Sequence, residues 1–224
     1  MMNKYEHSIS GLMLIIFAMT VYFSGGQANG SCLAGLPAVI DSKMTEAEAF
    51  DGLASNCPDT IRRKQKLLTV EYCSFDHKLH RGQLVIDAEL EKDIKKVFAL
   101  ARKKRFPIYS VIPIADKRFC NDGRWDDDLS MAANNTSGFN YRLSVGSSHL
   151  SKHAYGRALD INPMQNPYIK NGTVLPSGAT YKPQAAGTLT KNHPIVQEFL
   201  RLGWTWGGNW TSLKDYQHFE KPLQ

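Results

Sequence analysis

Residues 149–162 read His-Leu-Ser-Lys-His-Ala-Tyr-Gly-Arg-Ala-Leu-Asp-Ile-Asn, setting a histidine (His153) and a carboxylate (Asp160) seven positions apart around Gly156. Imidazole and carboxylate both ligate metal ions, and a zinc used in catalysis takes three protein ligands and keeps one position open. The third ligand has to come from a distant part of the chain, and His218, in Asp215-Tyr-Gln-His-Phe-Glu220, is the candidate. Whatever fold the chain adopts must return its C-terminus to residues 153–160. His149 forms a rival His-x3-His pair with His153, but the glutamate of His-Glu-x-x-His is missing.

The surrounding residues suggest chemistry for one zinc ion held by His153, Asp160 and His218. Such a ligand set leaves the ion positive enough to bring the pKa of a water toward ~7. Asp215, three residues before His218, is placed to take that water's proton as a general base and return it as an acid. A cation facing the developing oxyanion would supplement the metal; Arg142 is the first choice and Arg118 the second. Gly156 allows the chain to bend between the ligands, and Ala158 is small enough to pack behind them. Ser151 is placed to hydrogen-bond a ligand or the substrate, and Glu220 to orient His218 through its second ring nitrogen. The tryptophans of Trp204-Thr-Trp206-Gly-Gly-Asn-Trp210 suit a core, although with the glycines they also suit a cleft wall, with Trp206 at the substrate.

The 224 residues suffice for one well-cored domain behind a leader. Residues 1–28 have the form of a secretory signal peptide: Lys4, an apolar run over residues 9–23, and Gly26-Gln27-Ala28 as a small-x-small cleavage site. A retained anchor is the alternative. Lipidation at Cys32 is disfavoured, because Asn29-Gly30-Ser31 lacks the apolar residue expected three positions earlier. Cys32, Cys57, Cys73 and Cys120 all follow the leader, which permits two disulfides in an exported chain. The formal charge is +6, and the leader removes one charge of each sign (Lys4 and Glu6), so the mature chain keeps +6. That excess suits a polyanionic surface such as a bacterial wall. No basic stripe interleaved with aromatics and no recognition-helix pattern speaks for nucleic acid. No membrane contact is expected beyond the leader, and the chain is expected to act as a monomer.

Residues 29–66 read as an N-terminal extension, with one short helix over Met44–Leu53 and a solvated basic run, Arg62 to Lys66. The catalytic domain is assigned to residues 67–224. It opens on a strand over 67–75 and a second over 83–86, with His77 and His80 in the loop between them. A helix follows over Ala88–Lys104 with Asp87 as N-cap and Leu90, Ile94, Val97, Phe98 and Leu100 as its apolar stripe. Phe106–Ile112 reads as a strand, residues 115–143 as a long ordered loop, and residues 163–190 as a second loop bordering the site. Asp126-Asp127-Asp128 lacks the spaced layout of a calcium loop. A helix over Pro194–Leu202 ends at Gly203, with His193 as a cap or surface residue.

Ser151-Lys-His153-Ala-Tyr-Gly156-Arg-Ala158-Leu-Asp160 resembles the Ser-x-His-x-x-Gly-x-Ala-x-Asp signature of the D-alanyl-D-alanine carboxypeptidase family of zinc peptidases, and Asp215-Tyr-Gln-His218 resembles its second signature, Asp/Glu-x-x-His. Asn134–Arg142 and Gly203–Trp210 are similar to the L-alanyl-D-glutamate endopeptidase branch. The resemblance spans roughly residues 67–220. It implies zinc on His153, Asp160 and His218, Asp215 as base, and a compact α+β domain of the Hedgehog and DD-peptidase type, whose small antiparallel sheet carries the metal between flanking helices. It does not fix the arginine. The implied activity is that of a secreted, periplasmic or wall-associated bacterial enzyme cutting an amide bond of peptidoglycan stem peptides, whether L-Ala-D-Glu, a terminal D-Ala or a cross-link. The rival is a non-catalytic wall-binding module that keeps the fold and the zinc.

Overall fold

Alternation of apolar and polar residues builds the first sheet. In the strand Gln65–Cys73, Leu68, Val70 and Tyr72 turn inward while Lys66 and Thr69 face water. It pairs antiparallel with Leu79–Asp87, from Gln65 opposite Asp87 to Cys73 opposite Leu79. The computed structural model describes residues 37–223, so the expected leader (1–28) and Cys32 lie outside the described residues. The first strand lies two residues earlier than expected, the second is longer than the expected 83–86, and the turn between them is tight, with His77 at φ 62°. His80 is no loop residue: it is buried on the second strand, between the carboxylates of Asp41 (2.8 Å) and Asp76 (3.1 Å).

The strand Leu79–Asp87 is buried on both faces. Leu84 and Ile86 enter the main core, whereas Val85 meets Ala49, Phe50, Leu53, Ile61 and Phe139 in a second cluster. Residues 49–61 therefore cover the back of the hairpin. The helix expected over Met44–Leu53 is only the 3₁₀ turn Glu48–Phe50. Thr45 and Glu48 bond reciprocally just ahead of it, Thr45 N–H donating to Glu48 Oε2 and Glu48 N–H to Thr45 Oγ1. Gly52 at φ 73° ends the segment before further turns can form.

Asp87 accepts from Glu89 N–H and starts a 3₁₀ turn that leads into the helix Glu91–Lys104. Ile94, Val97, Phe98 and Ala101 pack on the strand Gln65–Cys73 and on the helix Pro194–Arg201, which His193 caps. The expected strand over Phe106–Ile112 shrinks to Ser110–Val111, paired in parallel with Asn135–Thr136. Residues 115–143 are more structured than a loop: Cys120–Asn121 and Arg124–Trp125 form a hairpin, and Asp126 caps the helix Asp127–Ala132. The run of aspartates is thus a helix start.

Two three-stranded sheets frame the last third of the chain. In one, His218–Glu220 lies between Ala158–Asp160 and Thr205–Trp206, antiparallel to both. In the other, Tyr168–Lys170 lies between Thr173–Leu175 and Lys214–Asp215. The hairpin of the second sheet turns at Asn171 and Gly172, both at positive φ, and it occupies what the sequence suggests is loop. The architecture is mixed α+β, as expected, with several small sheets and few helices. Among the described residues no helix is long and apolar enough to cross a membrane. Cys73 is disulfide-bonded, but Cys57 and Cys120 are free, so the described residues do not carry two bridges using all four cysteines.

Candidate metal centre

The period of two along a strand separates core from site. Leu159, Ile161 and Phe219 point into the main core, each side chain contributing about 1.5–3 kcal/mol by burial, while Asp160 and His218 point to the opposite face. Asp160 and His218 are direct cross-strand partners. His153 arrives on the 3₁₀ turn Lys152–Tyr155, which Ser151 caps by accepting from His153 N–H (3.2 Å) and Gly156 closes at φ 65°. A Cβ on Gly156 would stand 1.9 Å from Gln65 Oε1 and 2.7 Å from Asp87 N. The glycine is required both by its backbone conformation and by the close approach of the first sheet.

His153, Asp160 and His218 form the one group of three or more His, Cys or acidic side chains among the described residues that is arranged to hold a metal ion. They are 2%, 4% and 7% exposed. His153 Nε2 lies 3.2 Å from His218 Nδ1 and 3.1 Å from Asp160 Oδ2, and His218 Nδ1 lies 2.9 Å from Asp160 Oδ1. Ligands ~2.0–2.1 Å from a tetrahedral ion stand ~3.3–3.4 Å apart, so the spacing fits with little adjustment.

The outer ring nitrogens settle which way the inner ones face. His153 Nδ1–H donates to the carbonyl of Gly138 (2.6 Å), and His218 Nε2–H donates to Glu220 Oε2 (3.1 Å). Both inner nitrogens then direct lone pairs at each other and at a carboxylate. That arrangement requires a cation. Burial alone would push the His218 imidazolium down, but its hydrogen bonds to Asp160 and Glu220 outweigh this and raise it to about 10. Asp160, though buried, is held below the usual carboxylate range by His153 and His218. A proton supplies the charge there when no metal does, and the donor set suits zinc.

The three side chains line a cavity of about 270 Å³ together with Asp215, Arg142 and Trp210. Five buried side-chain polar atoms lack a partner among the described residues, and three of these, Arg142 Nε, Asp215 Oδ1 and Gln217 Oε1, belong to residues of this cavity. Buried polar atoms are nearly always satisfied, so their convergence marks where a ligand belongs. Burial and the nearby charge of Asp160 raise the Asp215 carboxyl to about 6, against the pull of His218. Gly207 backs this residue: a Cβ there would stand 2.8 Å from Asp215 Cβ.

The two arginine candidates separate. Arg142 lines the cavity and is held by Asp127 (2.8 Å), whereas Arg118 is bound to Asp116 and borders a different cavity. Glu220 stands on His218 as expected, and Ser151 serves the backbone of His153. Trp206 must be corrected: it is buried in the core, donates to Tyr216 O, and does not line the cavity, since its strand turns it to the Phe219 side. Trp210 takes that place, its ring 5.5 Å from that of His218. His149 is exposed and bonded to Ser147. Sequence reasoning also missed Gly138, whose carbonyl carries no side-chain signal. It missed Asp127, Tyr168 and Lys170 as well, although Asn171-Gly172 is a hairpin signal that locates the last two.

Residues 145–221, about a third of the chain, match a family model described as D-alanyl-D-alanine carboxypeptidase. Searches of curated proteins and of solved structures gave no match. The matched segment, which contains all three metal-ligand candidates as well as Asp215 and Glu220, is similar to that family.

Proposed function

We propose that this protein is an exported zinc peptidase that hydrolyses an amide bond in peptidoglycan stem peptides, with residues 1–28 as leader, 29–66 as extension and 67–224 as a catalytic domain of the Hedgehog and DD-peptidase type. The observation that carries the reading is the pairing of an inward-facing His-Asp-His set with an unpartnered Asp215 oxygen in the same cavity. Zinc bound there supplies a Lewis acid and an acidified water. His153 and His218 would be held as neutral ligands by Gly138 O and Glu220, and Asp160 would complete the set. Asp215, with its pKa raised toward neutrality, accepts the proton of the attacking water and delivers it to the leaving amine. Arg142, fixed by Asp127, turns its unpaired Nε–H to the oxygen of the attacked carbonyl.

A wall-binding module that merely keeps zinc has no use for a buried carboxylate with an unpartnered oxygen in the cavity of the metal ligands, because a structural site is closed by a fourth ligand. The test is a digest of purified peptidoglycan with the zinc-loaded protein, with Asp215→Ala and with a chelated sample, followed by mass analysis of new termini. The zinc-loaded protein alone should release fragments, and their ends distinguish an L-Ala-D-Glu cut from loss of a terminal D-Ala. Equal products from all three samples, or none from any, would overturn the peptidase reading.

A further inference from the structure

One wall of the metal cavity is a single face of the sheet around Tyr168–Lys170. Residues directly opposite in an antiparallel pair share a face, as do residues two apart on one strand. Tyr168 is opposite both Leu175 and Asp215, and Lys170 is two residues on, so these four side chains lie on one side; all four line the cavity. Lys170 is the diagonal neighbour of Asp215, a separation of roughly 7–8 Å, and both line the same cavity.

The cations of this cavity are committed to different degrees. Arg142 is bound to Asp127 and to the carbonyl of Leu143. The charge of Lys152 acts on Glu220, which lies beside it. The Lys170 side chain makes no hydrogen bond or ion pair among the described residues and is exposed to water. Its charge is therefore free to meet one brought by the substrate.

Resting on the peptidase reading above, we propose that Lys170 is a specificity-determining residue whose ammonium binds a free carboxylate on the residue flanking the scissile amide. Two kinds of peptide offer that group: one in which the carboxylate is the chain terminus, and one in which it is the α-carboxylate of a γ-linked glutamyl residue. In both, an ammonium lining the same cavity as the general base favours the acidic form and discriminates against the amidated one.

The test uses the zinc-loaded full chain and two matched peptide pairs, a peptide ending in D-Ala with its C-terminal amide and an L-Ala-γ-D-Glu peptide with its α-amide. Rates are read as KM and kcat separately, and affinities are measured by calorimetry on zinc-loaded Asp215→Asn, which leaves the peptides intact. In one of the pairs the carboxylate form should be preferred about 10-fold, through KM. Lys170→Met should abolish that preference and leave the amide form unchanged, and Lys170→Glu should reverse it. Equal affinity for both members of each pair, or equal loss on both in Lys170→Met, would overturn the assignment. If no peptide is cleaved, the peptidase reading fails, while calorimetry still decides for or against Lys170.

Discussion

The Asp215 carboxyl is raised from its ordinary value to about 6 by burial and by the charge of Asp160. A carboxyl raised by folding binds its proton more tightly in the native state, so its contribution to stability is present at low pH and is lost as pH rises from about 4 to about 6. Asp215→Asn should therefore stabilise the metal-free protein at pH 7 by roughly 1–3 kcal/mol, read by urea denaturation. The same substitution should lower kcat by about 10²–10⁴, the usual weight of a positioned acid-base group. In the proposed mechanism the carboxylate is the working form, and a bound cation would favour it further. The acid limb of a kcat/KM profile should accordingly sit no higher than about pH 6. Glu220 acts at one remove, through His218: Glu220→Gln should weaken zinc affinity about 10–100-fold in a chelator competition, with the ligand set intact.

Two glycines separate metal binding from proton transfer at the level of the elements that carry them. Gly156→Ala forces a side chain at φ 65° into Gln65 and the backbone of Asp87. It should cost about 2 kcal/mol or more of thermal stability and reduce zinc content, because the turn that presents His153 is displaced. Gly207→Ala instead pushes on Asp215, with 2.5 Å to its carbonyl oxygen and 2.8 Å to its Cβ. Zinc measured by mass spectrometry should stay near one per chain while kcat falls at least 10-fold, since a displacement of about 1 Å at a catalytic group has that scale of effect. Finding both properties lost together in Gly207→Ala would mean that the two sheets do not position ligands and base separately. At this scale the sequence is legible where one period runs long: the stripe of the helix Glu91–Lys104 and the alternation of Gln65–Cys73 both match the structure. It is illegible where elements are two or three residues long. There the pairing partner decides the conformation, as with Tyr168–Lys170 held between Thr173–Leu175 and Lys214–Asp215.

For the molecule as a whole, the C-terminus is structural as well as chemical. The proposed mechanism needs Asp215 and His218, and the strand His218–Glu220 is also the centre of its sheet, with Phe219 fully buried. A chain ending at residue 217 should lose the near-ultraviolet circular dichroism of its packed aromatics along with activity, and residues 149–162 should not hold their fold alone. Removing metal should lower Tm and restoring zinc should raise it with ligand concentration, because binding to the folded state alone stabilises it by mass action. What the sequence by itself offered was the candidate ligand set, base and orienting glutamate, because donor atoms at fixed spacing are a chemical requirement that single residues state openly. The place of Arg142 on the metal cavity and of Arg118 on another, of Trp206 in the core and Trp210 on the cavity, and of Tyr168 and Lys170 on its wall was decided by tertiary structure. Each depends on which way a side chain points from a short strand or turn, and that direction is set by packing against residues far away in the chain.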